Sequence, residues 1–254
     1  MKPSTTFTKS GVGEMSFVIV DGNNFFRMKL QNGLRSAIRE LKELNPTFCV
    51  WDGYNSNARR REIFPAYKAA RKERNLDTDF QTLNFVRKTL LPFFPCISVW
   101  CDGYEGDDVI AFLAGQAESC TIISTDKDLA AIPNATNPLV KKEFIEECGG
   151  RHWIPLYKTL VGDSSDGIPG LKGFGKKSWQ SLSNWDKTGL ELFFEHGVGL
   201  TSDLKDKIES NKDALMSYWK IVHFLPIDSA NLRSVAGKWD EETLTRILDK
   251  EGIL

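Results

Sequence analysis

Nine carboxylates stand where the pattern of the chain changes from one element to the next: Asp21, Asp52, Glu105, Asp107, Asp108, Asp126, Asp128, Asp163 and Asp166. Acids do not gather without a counter-charge. Two of them about 4 Å apart at an effective dielectric of about 20 repel by roughly 4 kcal/mol, and several such pairs exceed the roughly 5 to 15 kcal/mol that holds a domain folded. Convergence of these groups therefore implies bound cations. The acid motifs contain no Cys or His, and an oxygen-only donor set suits Mg²⁺ or Mn²⁺ rather than zinc. Two such ions about 3.5 to 4 Å apart activate a water and stabilise the leaving oxygen of a phosphodiester in an in-line displacement. Phosphodiester hydrolysis is the natural chemistry of such a cage.

The spacings suit shared sites. Glu105-Gly-Asp107-Asp108 opens a helical pattern, in which Glu105 and Asp108 share a face and Asp107 points about 100° away. Asp126 and Asp128 follow a strand-like run, and an extended backbone would turn both to one side. Asp163 and Asp166 have the offset of one helical turn. The competing reading for Asp107, Asp108 and Asp163 is plain helix capping, which the macrodipole also favours.

The elements that must position these acids are legible as periodicity. Four short apolar runs end in Asp: Phe17 to Asp21, Phe48 to Asp52, Ile97 to Asp102 and Thr121 to Asp126. They are β-branched or aromatic and do not alternate with polar residues, as expected of parallel strands covered on both faces. Between them, Leu30 to Leu44, Phe80 to Leu91 and Asp107 to Ala117 carry apolar residues at helical spacing. Alternating strand and helix predicts an α/β domain over residues 15–155 with a mostly parallel central sheet, whose ligands bind beyond the carboxyl ends of the strands. From about Pro155 no strand-like run stands out, and glycine turns separate helical patterns, so residues 156–254 are expected to be a helical subdomain.

Composition bounds the partners. The 254 residues hold 33 Lys and Arg against 34 Asp and Glu, a net charge of −1. Setting the nine acids aside leaves 33 basic against 25 acidic residues, a balance of +8 for the rest of the surface. Seven Lys or Arg fall between Arg59 and Arg74, a local excess suited to phosphates or simply to water. Five cysteines without C-x-x-C pairing argue against a disulfide framework or zinc site and for reduced, buried thiols in the cytoplasm. Residues 1–14 read as a mobile tail rather than a secretory signal, and no apolar run has the length of a membrane helix.

Five pieces in order resemble the bacteriophage and bacterial 5′-3′ exonucleases and flap endonucleases, including the nuclease domain attached to bacterial DNA polymerase I. They are VIVDGNNFFRMK (Val18 to Lys29), FPAYKAARK (Phe64 to Lys72), GYEGDDVIAFLA (Gly103 to Ala114), STDKDL (Ser124 to Leu129) and VGDSSDGIPGLKGFGKKS (Val161 to Ser178). Each is weak alone; their order is specific. Gly106 where the family most often has Ala, and Asp102 where Pro is frequent, leave every acid in place, and Asp102 itself is read as structural.

The resemblance implies a PIN-like domain followed by a helix-three-turn-helix at about 158–182. It implies two Mg²⁺, replaceable by Mn²⁺: one held by Asp21, Asp52, Glu105 and Asp107, the other by Asp108, Asp126, Asp128, Asp163 and Asp166. Lys68 and Arg27 would counter charge on the scissile phosphate and leaving oxygen, and Tyr67 would stack on terminal bases. A basic arch at about 54–79, including Arg59, Arg60, Arg61, Arg71 and Lys72, would pass a single-stranded 5′ end. Gly173, Gly175, Lys176 and Lys177 would meet DNA phosphate, with a K⁺ ion in the same loop. The implied activity is metal-dependent 5′-3′ exonuclease or flap endonuclease action on DNA, with RNA primers as a second substrate, by a monomer in phage DNA replication. The competing class is a non-catalytic branched-DNA-binding protein of the same fold, against which the full set of acids stands.

Overall fold

The computed structural model describes residues 16–69, 76–200 and 204–250. The N-terminal tail at 1–14 and the arch residues Arg71 and Lys72 lie outside them. The first half alternates as the periodicity predicts: β1 (Ser16–Asp21), α1 (Gly22–Lys29), α2 (Leu34–Leu44), β2 (Phe48–Val50), α3 (Ala58–Ile63), α4 (Leu76–Phe85), β3 (Ile97–Trp100), α5 (Gly106–Ala114), β4 (Ser119–Ile123) and β5 (Ala135–Thr136). There follow α6 (Lys142–Cys148), α7 (Ile154–Val161), α8 (Lys176–Gln180), α9 (Asn184–His196), α10 (Lys205–Glu209), α11 (Lys212–Val222), β6 (Arg233–Ala236) and α12 (Glu241–Lys250).

The sheet runs β5-β4-β1-β2-β3-β6, parallel except for β6, which pairs antiparallel with β3. Alternation along β1 divides the interior. Ile19 joins Phe48, Val50 and Val99 under α5, while Val20 joins Cys49 and Trp51 under α1 and α2. Both faces are covered, which is why these strands read as continuous apolar runs. A third core, with Leu160, Trp179, Leu190, Phe194 and Trp219 among its members, holds α7 to α11 together.

Strand β1 is flanked by β2 and β4, in register Asp21↔Val50 and Val20↔Ile123. Asp52 lies two residues beyond β2 and Asp126 three beyond β4, so the sheet delivers three acids to one edge. Helices leave β1 toward one face and α5 covers the other, making this edge the topological switch point where open α/β sheets bind ligands.

The sequence expectation needs correction after Pro155. β6 is a strand, and α12 returns to the sheet to bury Leu244 and Leu248 with Leu90 and Phe94. Every residue of β6 is exposed, so it lacks the burial pattern that betrays a strand. The Phe80–Leu91 helix also begins earlier, at Leu76, and loosens into a π-helical stretch at Val86–Leu90. All five cysteines are free and buried. Among the described residues no helix is long and apolar enough to cross a membrane.

Candidate active site

Backbone turns at the carboxyl edge of the sheet hold each acid. Asp21 ends β1 and caps α1, accepting the Asn24 N–H at 3.0 Å on one oxygen and the Ser124 hydroxyl at 2.8 Å on the other. Capping and site membership thus coincide in one residue. Asp52 accepts the Gly106 N–H at 2.8 Å, which ties the start of α5 to the loop after β2. Glu105 caps α5 in a reciprocal box with Asp108.

Asp126 and Asp128 are not extended as expected. Asp126 accepts the Asp128 N–H at 3.0 Å at the start of a 3₁₀ turn, Asp128–Ala131, and the two acids part company. Asp128 meets Asp163 and Asp166, one oxygen of each lying within 4.8 Å of the others. Asp163 and Asp166 share a tight turn closed by a bridge between Asp163 and Ile168 rather than a helical turn. Gly162 and Gly170 make that turn by close approach at φ of +94° and +71°; a Cβ on Gly170 would stand 2.6 Å from the Gly162 nitrogen.

Electrostatics link the two groups. Burial, then the charges of Asp52 and Asp126, push the Asp21 carboxyl up to about 7. Burial with Asp126 and Asp21 pushes Asp107 well above the carboxylate range, and burial with Glu105 raises Asp52. Burial also dominates at Asp128, where repulsion from Asp126 and Asp166 against attraction from Lys158 leaves the group at about 6. Asp126 therefore acts on both sides, and eight acids, all but Asp108, form one continuous negative cluster. Carboxylates so disfavoured in their charged form, with only oxygen donors, fit a pair of hard divalent cations.

The ninth acid does not belong with them. Asp108 is 1% exposed, and Arg60 clamps it through two hydrogen bonds of 2.8 and 2.7 Å. The N–H groups of Glu105 and Leu225 donate to it at 3.2 and 2.8 Å. Four donors occupy the roughly four lone-pair directions of a carboxylate, leaving none for a metal. Arg60 is corrected with it: at 4% exposure, bonded also to the carbonyls of Ile221 and His223, it is a buried tie between α3, α5 and the end of α11, not a DNA contact. Tyr67 is corrected too, since it is 3% exposed in the third core and its hydroxyl donates to Glu105 at 2.8 Å, leaving no ring face for a base.

Lys68 does reach the cluster. Its ammonium pairs with Glu105 and lies 3.8 Å from Asp166, its N–H donates to the Asp166 carbonyl at 2.9 Å, and its φ of 53° lies in the left-handed region. Lys68 and Arg60 hold the buried Glu105 below the usual carboxylate range against its desolvation. A second lysine, absent from the sequence expectation, is Lys158 of α7. Buried, it pairs with Asp128 and, at 2.6 Å, with Asp163. Burial opposes the charge of Asp163, but Lys158 overcomes it and holds the group at about 2. The signal was present: one lysine in the otherwise uncharged helix IPLYKTLV needs a buried acid.

Beside Asp52 opens a cavity of about 640 Å³, lined by Arg27, Arg61, Arg87 and Lys88 with Tyr54 and Phe80. Among the described residues none of these four cations pairs with a carboxylate. Tyr54 and Phe80 are 77% and 66% exposed. Arg59 points elsewhere, stacked on Tyr104. Farther off, Gly173, Gly175, Lys176 and Lys177 form an exposed rim at the start of α8, where Lys176 pairs with Glu147 at 2.8 Å. Asp102 is structural as expected, accepting the Tyr54 N–H and pairing with Arg233.

The family described as 5′-3′ exonuclease, N-terminal resolvase-like domain, matches residues 17–151. DNA polymerase I of Caldicellulosiruptor bescii is 30% identical over 257 residues, covering 91% of this chain and 30% of the polymerase. A 5′-3′ exonuclease of Mycoplasmopsis pulmonis is 27% identical over 248 residues, covering 85% of this chain and 82% of that protein. Among solved structures, the T5 D15 protein co-crystallized with metal ions shares the fold at a TM-score of 0.64 and 20% identity, over 82% of this chain and 89% of that one. The catalytic core of Rad2 in complex with DNA substrate superposes at a TM-score of 0.51 and 15% identity, over 92% and 86% of the two chains. The chain spans about 30% of the length of the first polymerase.

Proposed function

Because the chain belongs to the 5′-3′ exonuclease family, bearing its N-terminal resolvase-like domain, we propose that it is a divalent-metal-dependent nuclease that hydrolyses phosphodiester bonds near the 5′ ends of DNA. The observation that carries this reading is the gathering of eight acids at the switch point of the sheet, with Asp21, Asp52, Asp107 and Asp128 pushed up by burial and by neighbouring acids, beside a cavity whose four lining cations pair with no carboxylate among the described residues. Asp21, Asp52, Glu105 and Asp107 would hold one ion, Asp128, Asp163 and Asp166 the other, with Asp126 between them. When bound, Mg²⁺, or Mn²⁺ in its place, supplies an activated water and neutralises the leaving oxygen.

The chain's own groups bind and orient the DNA. Arg27, Arg61, Arg87 and Lys88 offer charge to the phosphates of the strand entering the site, and Tyr54 and Phe80 offer exposed rings to unpaired bases. Lys68, reaching the cluster from the segment after α3, supplies positive charge where negative charge develops. The exposed rim at Gly173, Gly175, Lys176 and Lys177 offers backbone N–H groups and two ammonium groups to duplex phosphate. The T5 D15 flap endonuclease has been solved in a complex with DNA and metal ions, which supports flap DNA as a substrate here; we extend the reading to nicked and RNA-primed duplexes.

The test is incubation of 5′- and 3′-labelled flap, nicked and RNA-primed duplexes with the protein in Mg²⁺ or EDTA. Cleavage near the 5′ end in Mg²⁺ alone is expected, abolished by Asp126→Asn or Asp163→Asn with branched-DNA binding retained. Cleavage that persists in EDTA, or full turnover in those variants, refutes the reading.

A further inference from the structure

Helix α7 is uncharged except for Lys158, and its side chain runs among buried neighbours to end on two of the three acids of the Asp128, Asp163 and Asp166 triad. Its ammonium stands 2.6 Å from Asp163 Oδ2 and contacts Asp128 Oδ1. That Asp128 oxygen is buried, and the Lys158 ammonium is the cation in contact with it. The three acids approach within 4.8 Å of one another. A Mg²⁺ ion bonds its oxygens at about 2.0 to 2.1 Å, so opposite ligands stand about 4.2 Å apart and the triad would close by a few tenths of an ångström around a single ion.

Lysine and divalent ion therefore compete for the same oxygens. With the lysine in place the triad and ammonium sum to −2; without it the triad holds −3, and the like charge at Asp128 and Asp163 is gone, while Lys68 remains 3.8 Å from Asp166. Resting on the two-metal reading above, we propose that Lys158 is a tethered counter-cation of the Asp128, Asp163 and Asp166 triad, which keeps the triad folded in the metal-free protein and weakens its affinity for a divalent ion. In the other acid group, Asp21, Asp52, Glu105 and Asp107, Lys68 pairs with one acid of the four, Glu105, whereas in the triad Lys158 holds two acids of three and Lys68 lies 3.8 Å from the third. The two ions consequently differ in affinity before any DNA is present.

The test is titration of the full chain with Mn²⁺ in the absence of DNA, free Mn²⁺ being read by its paramagnetic resonance signal. Wild type is expected to bind one ion tightly and a second weakly. Lys158→Met should tighten the weak site at least tenfold while lowering the melting temperature in EDTA. Lys158→Gln, polar but uncharged, should do the same with a smaller loss of stability, and Lys158→Arg, which keeps the charge, should leave the weak site weak. Unchanged or weaker Mn²⁺ binding in a folded Met or Gln variant overturns the proposal. Wild type and variants that all fail to bind Mn²⁺ overturn the two-metal reading itself, a distinct result.

Discussion

Asp21 and Asp128 carry a stability that depends on pH in an unusual direction. Their ordinary value is 3.8, and in the folded protein they sit at about 7 and about 6. Between those limits the native state binds more protons than the unfolded chain, so stability falls as pH rises through the window from about 4 to 7 and stays reduced above it. Asp163, held at about 2, contributes the opposite sign but only below the ordinary carboxylate range. In EDTA the melting temperature should therefore drop between pH 5.5 and pH 8, and Mg²⁺ should raise it more at pH 8. A metal-induced gain equal at both pH values would contradict the assignment of these acids.

Asp108 makes the contrasting case. Its carboxylate is spent on Arg60 and two backbone N–H groups, so Asp108→Asn should lower the melting temperature while leaving Mn²⁺ affinity unchanged. Arg60→Ala, which strands a buried carboxylate, should cost about 3 to 5 kcal/mol by denaturant unfolding. The acids themselves were legible because their type and spacing persist in the sequence. What separates Asp108 from its neighbours was not, because saturation depends on Arg60 and Leu225, which are 48 and 117 residues away.

At the scale of elements, β1 to β4 were legible because both their faces are buried, which leaves an apolar run ending in Asp each time. β6 was not, since it is an exposed edge strand whose place is set by β3 and by the packing of α12. Removing residues 233–250 should uncover Phe94 and Leu91 and lower the melting temperature of what remains, a loss that a detachable helical tail would not produce. Residues of α3, α4 and the π-helical stretch line the cationic cavity, and their membership differs from the basic run read along the sequence. Arg60 turned inward and Arg59 onto Tyr104, while Arg87 and Lys88, beyond the basic run, line the cavity. Arg87→Ala with Lys88→Ala should weaken flap-DNA binding across all sequences and lower the slope of log affinity against log salt by about one per charge removed. A salt slope equal to that of wild type would exclude both from the strand path.

For the whole molecule, a net charge of −1 conceals two opposed fields. The carboxyl edge of the sheet gathers eight acids, and the wall beside Asp52 gathers four cations without acid partners. Neither field is visible in the sum, though the first could be inferred by setting the acids aside before counting. Folding brings them together because β1 lies between β2 and β4 and the turn after α7 closes over the same edge. Among the described residues, Arg60, Lys68 and Lys158 are cations the fold carries into the acid field, and they offset part of its charge.

The most direct test of this account is anomalous diffraction at the manganese edge from crystals soaked in Mn²⁺. Two peaks are predicted, one among Asp21, Asp52, Glu105 and Asp107 and one among Asp128, Asp163 and Asp166, with none at Asp108. Intact crystals that show no anomalous density at either position, with the carboxylates as they stand, would contradict it.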